Sequence, residues 1–160
     1  MAPTAIAAAP GGTASPSGSL MSACETNGLQ GSLTDVSAGA GQIDATLVLT
    51  NTSEHPCTLS GYPGVSFLPV LGGALTVGNP ADRTGAPYST VTLTPHGSAH
   101  AVLHDSNGAG GYDPAQCQLT PVGGLQVYPP GSNDPLFVPW RTQHCAGPAI
   151  HALTIGPVTR

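Results

Sequence analysis

No window of this chain places apolar residues at i, i+3, i+4 and i+7 without a glycine or proline among them, which closes the route to an amphipathic helix. The 22 Gly and 17 Pro instead punctuate short runs rich in β-branched residues, the pattern of strands joined by turns. The clearest run is 42–68, QIDATLVLTNTSEHPCTLSGYPGVSFL. Ile43, Ala45, Leu47 and Leu49 share one parity, while Asp44, Thr46 and Thr50 share the other. A period of two predicts a strand with one buried and one wet face. Asn51, Thr52, Ser53 and Glu54 supply turn residues, and His55-Pro56 excludes helix before Cys57. Val65 and Phe67 then restart the alternation.

Later segments repeat this grammar. Residues 74–77 read as a short strand and 78–87 as a polar loop carrying Asp82 and Arg83. Val91 and Leu93 alternate with Thr90, Thr92 and Thr94, and a Pro95-His96-Gly97 turn follows. Ala99, Ala101 and Leu103 point inward, opposite His100, Val102 and His104. Strand candidates at 118–119, 125–128, 136–138 and 150–155 bring the total to about eight or nine, with turn signals every 8–12 residues or so. That spacing predicts an all-β sandwich or barrel rather than alternating βαβ units.

Residues 1–21 are almost wholly Ala, Pro, Gly, Ser and Thr, the composition of a flexible tether. They lack the basic start and apolar core of a signal peptide, so Met1 reads as an addition for expression with the native export signal cut away. An unprocessed cytosolic tail is the alternative. Residues 22–160 form the folded domain, one domain's worth of chain. Cys24, Cys57, Cys117 and Cys145 are even in number, widely spaced and never in a C-x-x-C pair. Zinc fingers and thioredoxin-type motifs need close pairs, so two structural disulfides in an oxidising compartment fit better, with four reduced thiols the alternative. Of three connectivities the local one, Cys24–Cys57 with Cys117–Cys145, is preferred because it staples each half of the chain. Each bridge would close about 30 residues, worth on the order of 3–4 kcal/mol.

Charge is sparse. There is no lysine, and Arg83, Arg141 and Arg160 stand against eight acids. Such a chain cannot neutralise a row of phosphates, which excludes nucleic acid as an expected partner and disfavours anionic membranes. No apolar run of about 18 residues is present to span a bilayer.

Taken in order, a cysteine near the start, N-T-S after an alternating strand, P-C-T-L-S-G-Y-P-G-V, a V-T-L-x-P-x-G-S-A-x-A-x-L strand pair and two late cysteines resemble a family. It is the actinobacterial envelope family catalogued as domain of unknown function "four-two-three-two". The match runs from about Cys24 to Ile155, most specifically over 57–65. The resemblance implies an immunoglobulin-like antiparallel β-sandwich with two disulfides, export, and often a lipid anchor ahead of the tether. It implies no activity, and no lipid-bearing cysteine precedes the tether in this sequence.

His100 and His104 are the first candidates for a metal, but four residues at 3.3 Å rise place them roughly 13 Å apart on one strand face. No metal or other cofactor is expected. Asp105, Asn107, Gly110 and Asp113 match part of a calcium loop, yet Ala109 and Gln116 stand where oxygen ligands belong. His104, Asp105 and Ser106 are neighbours on an extended chain and point in opposite directions, so they make no triad. G-x-S-x-G and S-x-x-K are absent. Tyr62-Pro63, flanked by Gly61 and Gly64, predicts a tight corner with a cis bond. Trp140, Arg141, Tyr88 and Tyr112 are the candidate partner-binding residues, with core capping the competing role for Trp140.

The expectation is a non-catalytic binding or structural module, secreted or anchored at the cell envelope. It would recognise a protein, glycan or lipid-linked ligand through loops around 81–88, 105–113 and 131–141. A metal-dependent or carboxylate-based extracytoplasmic enzyme, and an extracytoplasmic partner of a membrane protein, are the alternatives.

Overall fold

The computed structural model describes residues 21–73, 75–106 and 112–160, so nearly all of the expected tether lies outside the described residues. Among the described residues, ten strands form an antiparallel β-sandwich. One sheet has the order β1 (Leu29–Gly39), β2 (Gln42–Asn51), β7 (Ser98–Ser106), β10 (Thr154–Ile155) and β5 (Asp82–Arg83). Against it lie the sheet β4 (Gly64–Pro69), β8 (Leu119–Tyr128), β9 (Leu136–Cys145) and the ribbon β3 (Cys57–Ser60) with β6 (Thr90–Leu93). Only the two-residue contact of β10 with β5 is parallel among these ladders.

The alternation read from the sequence decides which side chains go inside. On β2, Ile43, Ala45, Leu47 and Leu49 are buried, and on β7 Ala99, Ala101 and Leu103 join them. They meet Val65 and Phe67 of β4, Leu125 and Val127 of β8 and Val138 of β9 in one apolar cluster. Each large aliphatic side chain buried there contributes about 1.5–3 kcal/mol.

The cysteines pair locally. Cys24–Cys57 spans 33 residues and Cys117–Cys145 spans 28. The first ties the entering chain to β3 at the end of the sandwich where β2 finishes. The second closes the opposite end, tying the single helical turn α1 (Pro114–Cys117) to the last residue of β9. Asp113 caps that turn by accepting from the Ala115 N–H at 3.3 Å, and Pro114 opens it.

Several elements differ from expectation. β1 alternates only over Leu29–Leu33, because it is an edge strand whose residues beyond Leu33 are all exposed. It bulges between Thr34 and Ser37, where Asp35 takes φ +53°, a device that blunts an edge against further pairing. Of the strand expected at 74–77, Ala74 lies outside the described residues, Leu75 is exposed, and Val77 makes one isolated bridge to Phe67. The loop expected at 78–87 contains β5, and only Thr154–Ile155 of 150–155 is strand. The Tyr62–Pro63 peptide is trans; Gly61, at φ +110°, turns the corner instead.

Asn51 shows how the first end is held. Its side chain is fully buried, and Nδ2 donates to the carbonyls of His55 (2.8 Å), Leu93 (3.2 Å) and Thr94 (3.3 Å). Its Oδ1 accepts from the N–H and hydroxyl of Ser53 at 3.0 and 2.7 Å. One amide thus ties the turn after β2 to the chain that leaves β6. Asn51→Ala is expected to lower the unfolding free energy by about 2–3 kcal/mol in a urea titration, against less than about 0.5 kcal/mol for the exposed neighbour Thr52→Ala.

Candidate functional site

Two parts of the molecule have the makings of a site, one at each end. At the first end, the chain leading into β1 and the β8–β9 loop enclose a groove of about 650 Å³. It is lined by Ser22, Glu25, Thr26, Asn27, Ser132 and Asp134, among others. Thr26 joins the two walls, with its hydroxyl 2.8 Å from that of Ser132 and 2.6 Å from the Asp134 carbonyl. A second hollow of about 320 Å³ lies on the other side of the same segment, reaching Asn51, Ser53 and His55. Both adjoin the Cys24–Cys57 bridge, so their floor is cross-linked. The lining of the larger groove offers hydroxyls, an amide and two carboxylates, with no cation and no aromatic ring.

At the opposite end the inward parity of β7 continues past Leu103 to Asp105, which is 1% exposed. The inward parity of β9 brings His144 to meet it, with Nδ1 2.9 Å from Asp105 Oδ2 and the imidazole also 1% exposed. The Phe67 ring lies against the imidazole with centroids 4.5 Å apart, and Trp140 packs on the same phenyl ring at 5.5 Å. Gly78, at φ +74°, closes over the imidazole. A Cβ there would fall 2.8 Å from both His144 Nε2 and the Cys145 carbonyl. Asp105 Oδ1 and His144 Nε2 have no protein partner. A carboxylate oriented on an imidazole is the geometry of a general base, but this pair is sealed beneath Gly78 and the Cys117–Cys145 bridge, away from both hollows.

The sequence candidates are dispersed. His100 is exposed, and its backbone bridges to Thr159. Both ring nitrogens of His104 have partners on β2, Asp44 Oδ1 at 2.7 Å and Gln42 Oε1 at 2.8 Å. Among the described residues no three His, Cys, Asp or Glu side chains converge to hold a metal. Trp140 is half-buried against the core, as its core-capping role expects, while Arg141 is exposed beside it. Tyr112 packs on the cluster around Cys117 and Cys145, and Tyr88 is exposed. Of the three expected loops, 107–111 lies outside the described residues, Asp105 belongs to β7, and 136–141 belongs to β9. Apart from Cys24, the groove residues 22–27 carry no sequence signal, because they do not depart from ordinary turn composition. The His144–Asp105 meeting had a signal, in that both residues extend the buried parity of their strands.

The family model that matches the chain, over residues 24–159, is described as Domain of unknown function (DUF4232). No curated protein matches it. Among solved structures, a selenomethionine-labelled β-glucosidase from Kluyveromyces marxianus is similar at 11% identity and a TM-score of 0.35, covering 80% of this chain and 15% of that one. The same enzyme in complex with glucose is similar at 10% identity and a TM-score of 0.36, covering 81% and 15%. The chain thus spans about 15% of the length of those enzymes, and a likeness this distant carries no functional argument.

The buried pair yields a stability prediction. Asp105→Ala leaves the His144 imidazole buried without its partner and is expected to cost about 2–4 kcal/mol by denaturant unfolding. The double change Asp105→Leu with His144→Phe removes both polar groups and is expected to recover most of that loss. Gly78→Ala, at a positive φ and against backbone, is expected to cost at least about 2 kcal/mol.

Proposed function

We propose, on the premise that the chain belongs to the DUF4232 family, that it is a non-catalytic binding module working outside the cytoplasm. In this reading it is secreted, or tethered by lipid to an actinobacterial envelope, and its ligand enters the groove between the segment 22–27 and the loop 131–134. The observation that carries the reading is the groove itself, a concave surface on which hydroxyl, amide and carboxylate groups converge from two separate parts of the chain. Two disulfides favour an oxidising compartment, and among the described residues no helix is long and apolar enough to cross a membrane. The Cys24–Cys57 bridge fixes the groove floor before the ligand arrives, which lowers the ordering cost of binding. With Glu25 and Asp134 on its walls and no Arg, the groove suits an uncharged or cationic ligand rich in hydrogen-bonding groups.

The rival enzyme reading would rest on Glu25 and Asp134 as a carboxylate pair, or on a metal. A screen of neutral and cationic amide- and amine-bearing fragments, read by amide NMR shifts, is expected to give hits clustered on residues 22–27 and 131–134. Asn27→Trp is expected to abolish them without moving the thermal midpoint by more than about 2 °C. Zinc, copper and calcium are expected to shift that midpoint by less than about 1 °C, since a ligand that binds only the folded state would raise it. Fragment hits confined to other surfaces, or turnover of a glycoside dependent on Glu25 and Asp134, would replace the binding reading.

A further inference from the structure

Outside both ends, Tyr62, Tyr88 and Arg83 meet at the lateral edge of the sandwich. Tyr62 is half-buried against the core, and its phenol donates to the Ala86 carbonyl, so its ring is fixed. The Arg83 guanidinium carbon lies 5.3 Å from the centroid of that ring. The Tyr88 ring meets Tyr62 edge-on at 75°, with centroids 6.1 Å apart, and remains 58% exposed. Gly61, held at φ +110°, sits under Tyr88, and a Cβ there would touch its Cε1 at 3.9 Å. The result is an aromatic corner in which Tyr62 is tethered, Tyr88 is largely exposed and a guanidinium lies beside them.

We propose that this corner is a saccharide subsite, in which a neutral pyranose lays its C–H face on Tyr88 while Arg83 donates to its hydroxyl oxygens. The inference stands apart from the groove and does not depend on it. The Arg83 guanidinium lies over the Tyr62 ring on an exposed side chain, and it carries five N–H donors. Among the described residues no carboxylate pairs with it, and neighbouring Asp82 turns to His151 at 3.4 Å. The surrounding Thr84, Gly85, Ala86, Pro87 and Ser89 are small and exposed. A protein partner needs an anchor ringed by some 800 Å² of close contact, which these residues do not offer, whereas a sugar ring needs one aromatic face and two or three donors. Eight acids against three arginines disfavour a polyanionic glycan, which leaves neutral sugars as the class.

The test is titration of the full chain with cellohexaose, maltohexaose and chitohexaose, followed by amide NMR and calorimetry. At least one hexaose is expected to bind, with shifts centred on Tyr88, Arg83 and Thr84. Tyr88→Ala and Arg83→Ala are each expected to weaken that binding by about tenfold or more, while Tyr88→Phe, which keeps the stacking face, stays within about threefold of the parent. Asn27→Trp in the groove is expected to leave sugar affinity unchanged, so this result separates the corner from the groove. Absence of binding by all three sugars, or sugar binding lost in Asn27→Trp but kept in Tyr88→Ala, would overturn the proposal. A Tyr88-dependent complex with a protein in the absence of sugar binding would overturn it equally.

Discussion

The antiparallel pairing of β2 with β7 is the constraint from which the rest of the sandwich follows. Its register sets Ala45 opposite Leu103, Leu47 opposite Ala101 and Leu49 opposite Ala99. Each inward pair thus joins a large side chain to a small one, so the two strands fill one layer without crowding. A slip of one residue would turn all of these outward and bring Asp44, His104 and His100 into the core, so the register has no near competitor. The same register carries Asp105 inward opposite Ile43, and that makes a polar partner on the facing sheet obligatory.

His144 is that partner, and the pair explains features that no local rule requires. Gly78 must be glycine because its backbone closes directly on the imidazole at a positive φ. Asn79 next to it donates to the carbonyls of Pro148 and Ile150 at 3.0 and 2.8 Å, so the covering segment is fastened to the chain that follows the second disulfide. The apolar core ends here in a polar knot, as it ends at Asn51 on the other side. Each knot sits beside a disulfide, and each satisfies backbone or side-chain groups that the ladders leave over.

Strand alternation was legible wherever a strand faces the core. Residues 43–49, 91–93 and 99–103 announce themselves because their buried face holds only aliphatic residues. β1 does not, since an edge strand owes little to burial and its sequence is free to take Gly, Ser and Asp. Gly31 on that strand is demanded by packing alone, as a Cβ there would press to 2.8 Å from Val138 Cγ2, more than a hundred residues away. The corner at Tyr62 was visible from its glycines, yet it is turned by Gly61 rather than by a cis proline, because a left-handed glycine already reverses the chain. The meeting of Asp105 with His144 was half visible: parity says that each points in, but only the folding of one sheet over the other says that they touch.

Poverty of charge shapes what such a molecule can recognise. With three arginines and no lysine, the surface has little long-range field with which to draw in an anionic ligand, and the ordinary diffusional rate applies. Selection must then come at contact, from shape, hydrogen bonds and ring faces. Short-range recognition works only if the recognising groups are already in place, because every side chain ordered on binding subtracts from a small total. The surfaces best suited to it are therefore those the fold has already fixed: the groove wall pinned by Thr26 and the Cys24–Cys57 bridge, and the Tyr62 ring held by a backbone carbonyl beneath an arginine. In the proposed reading, the disulfides and buried polar knots would serve recognition indirectly. They remove motion from the few exposed groups that have anything to offer a ligand.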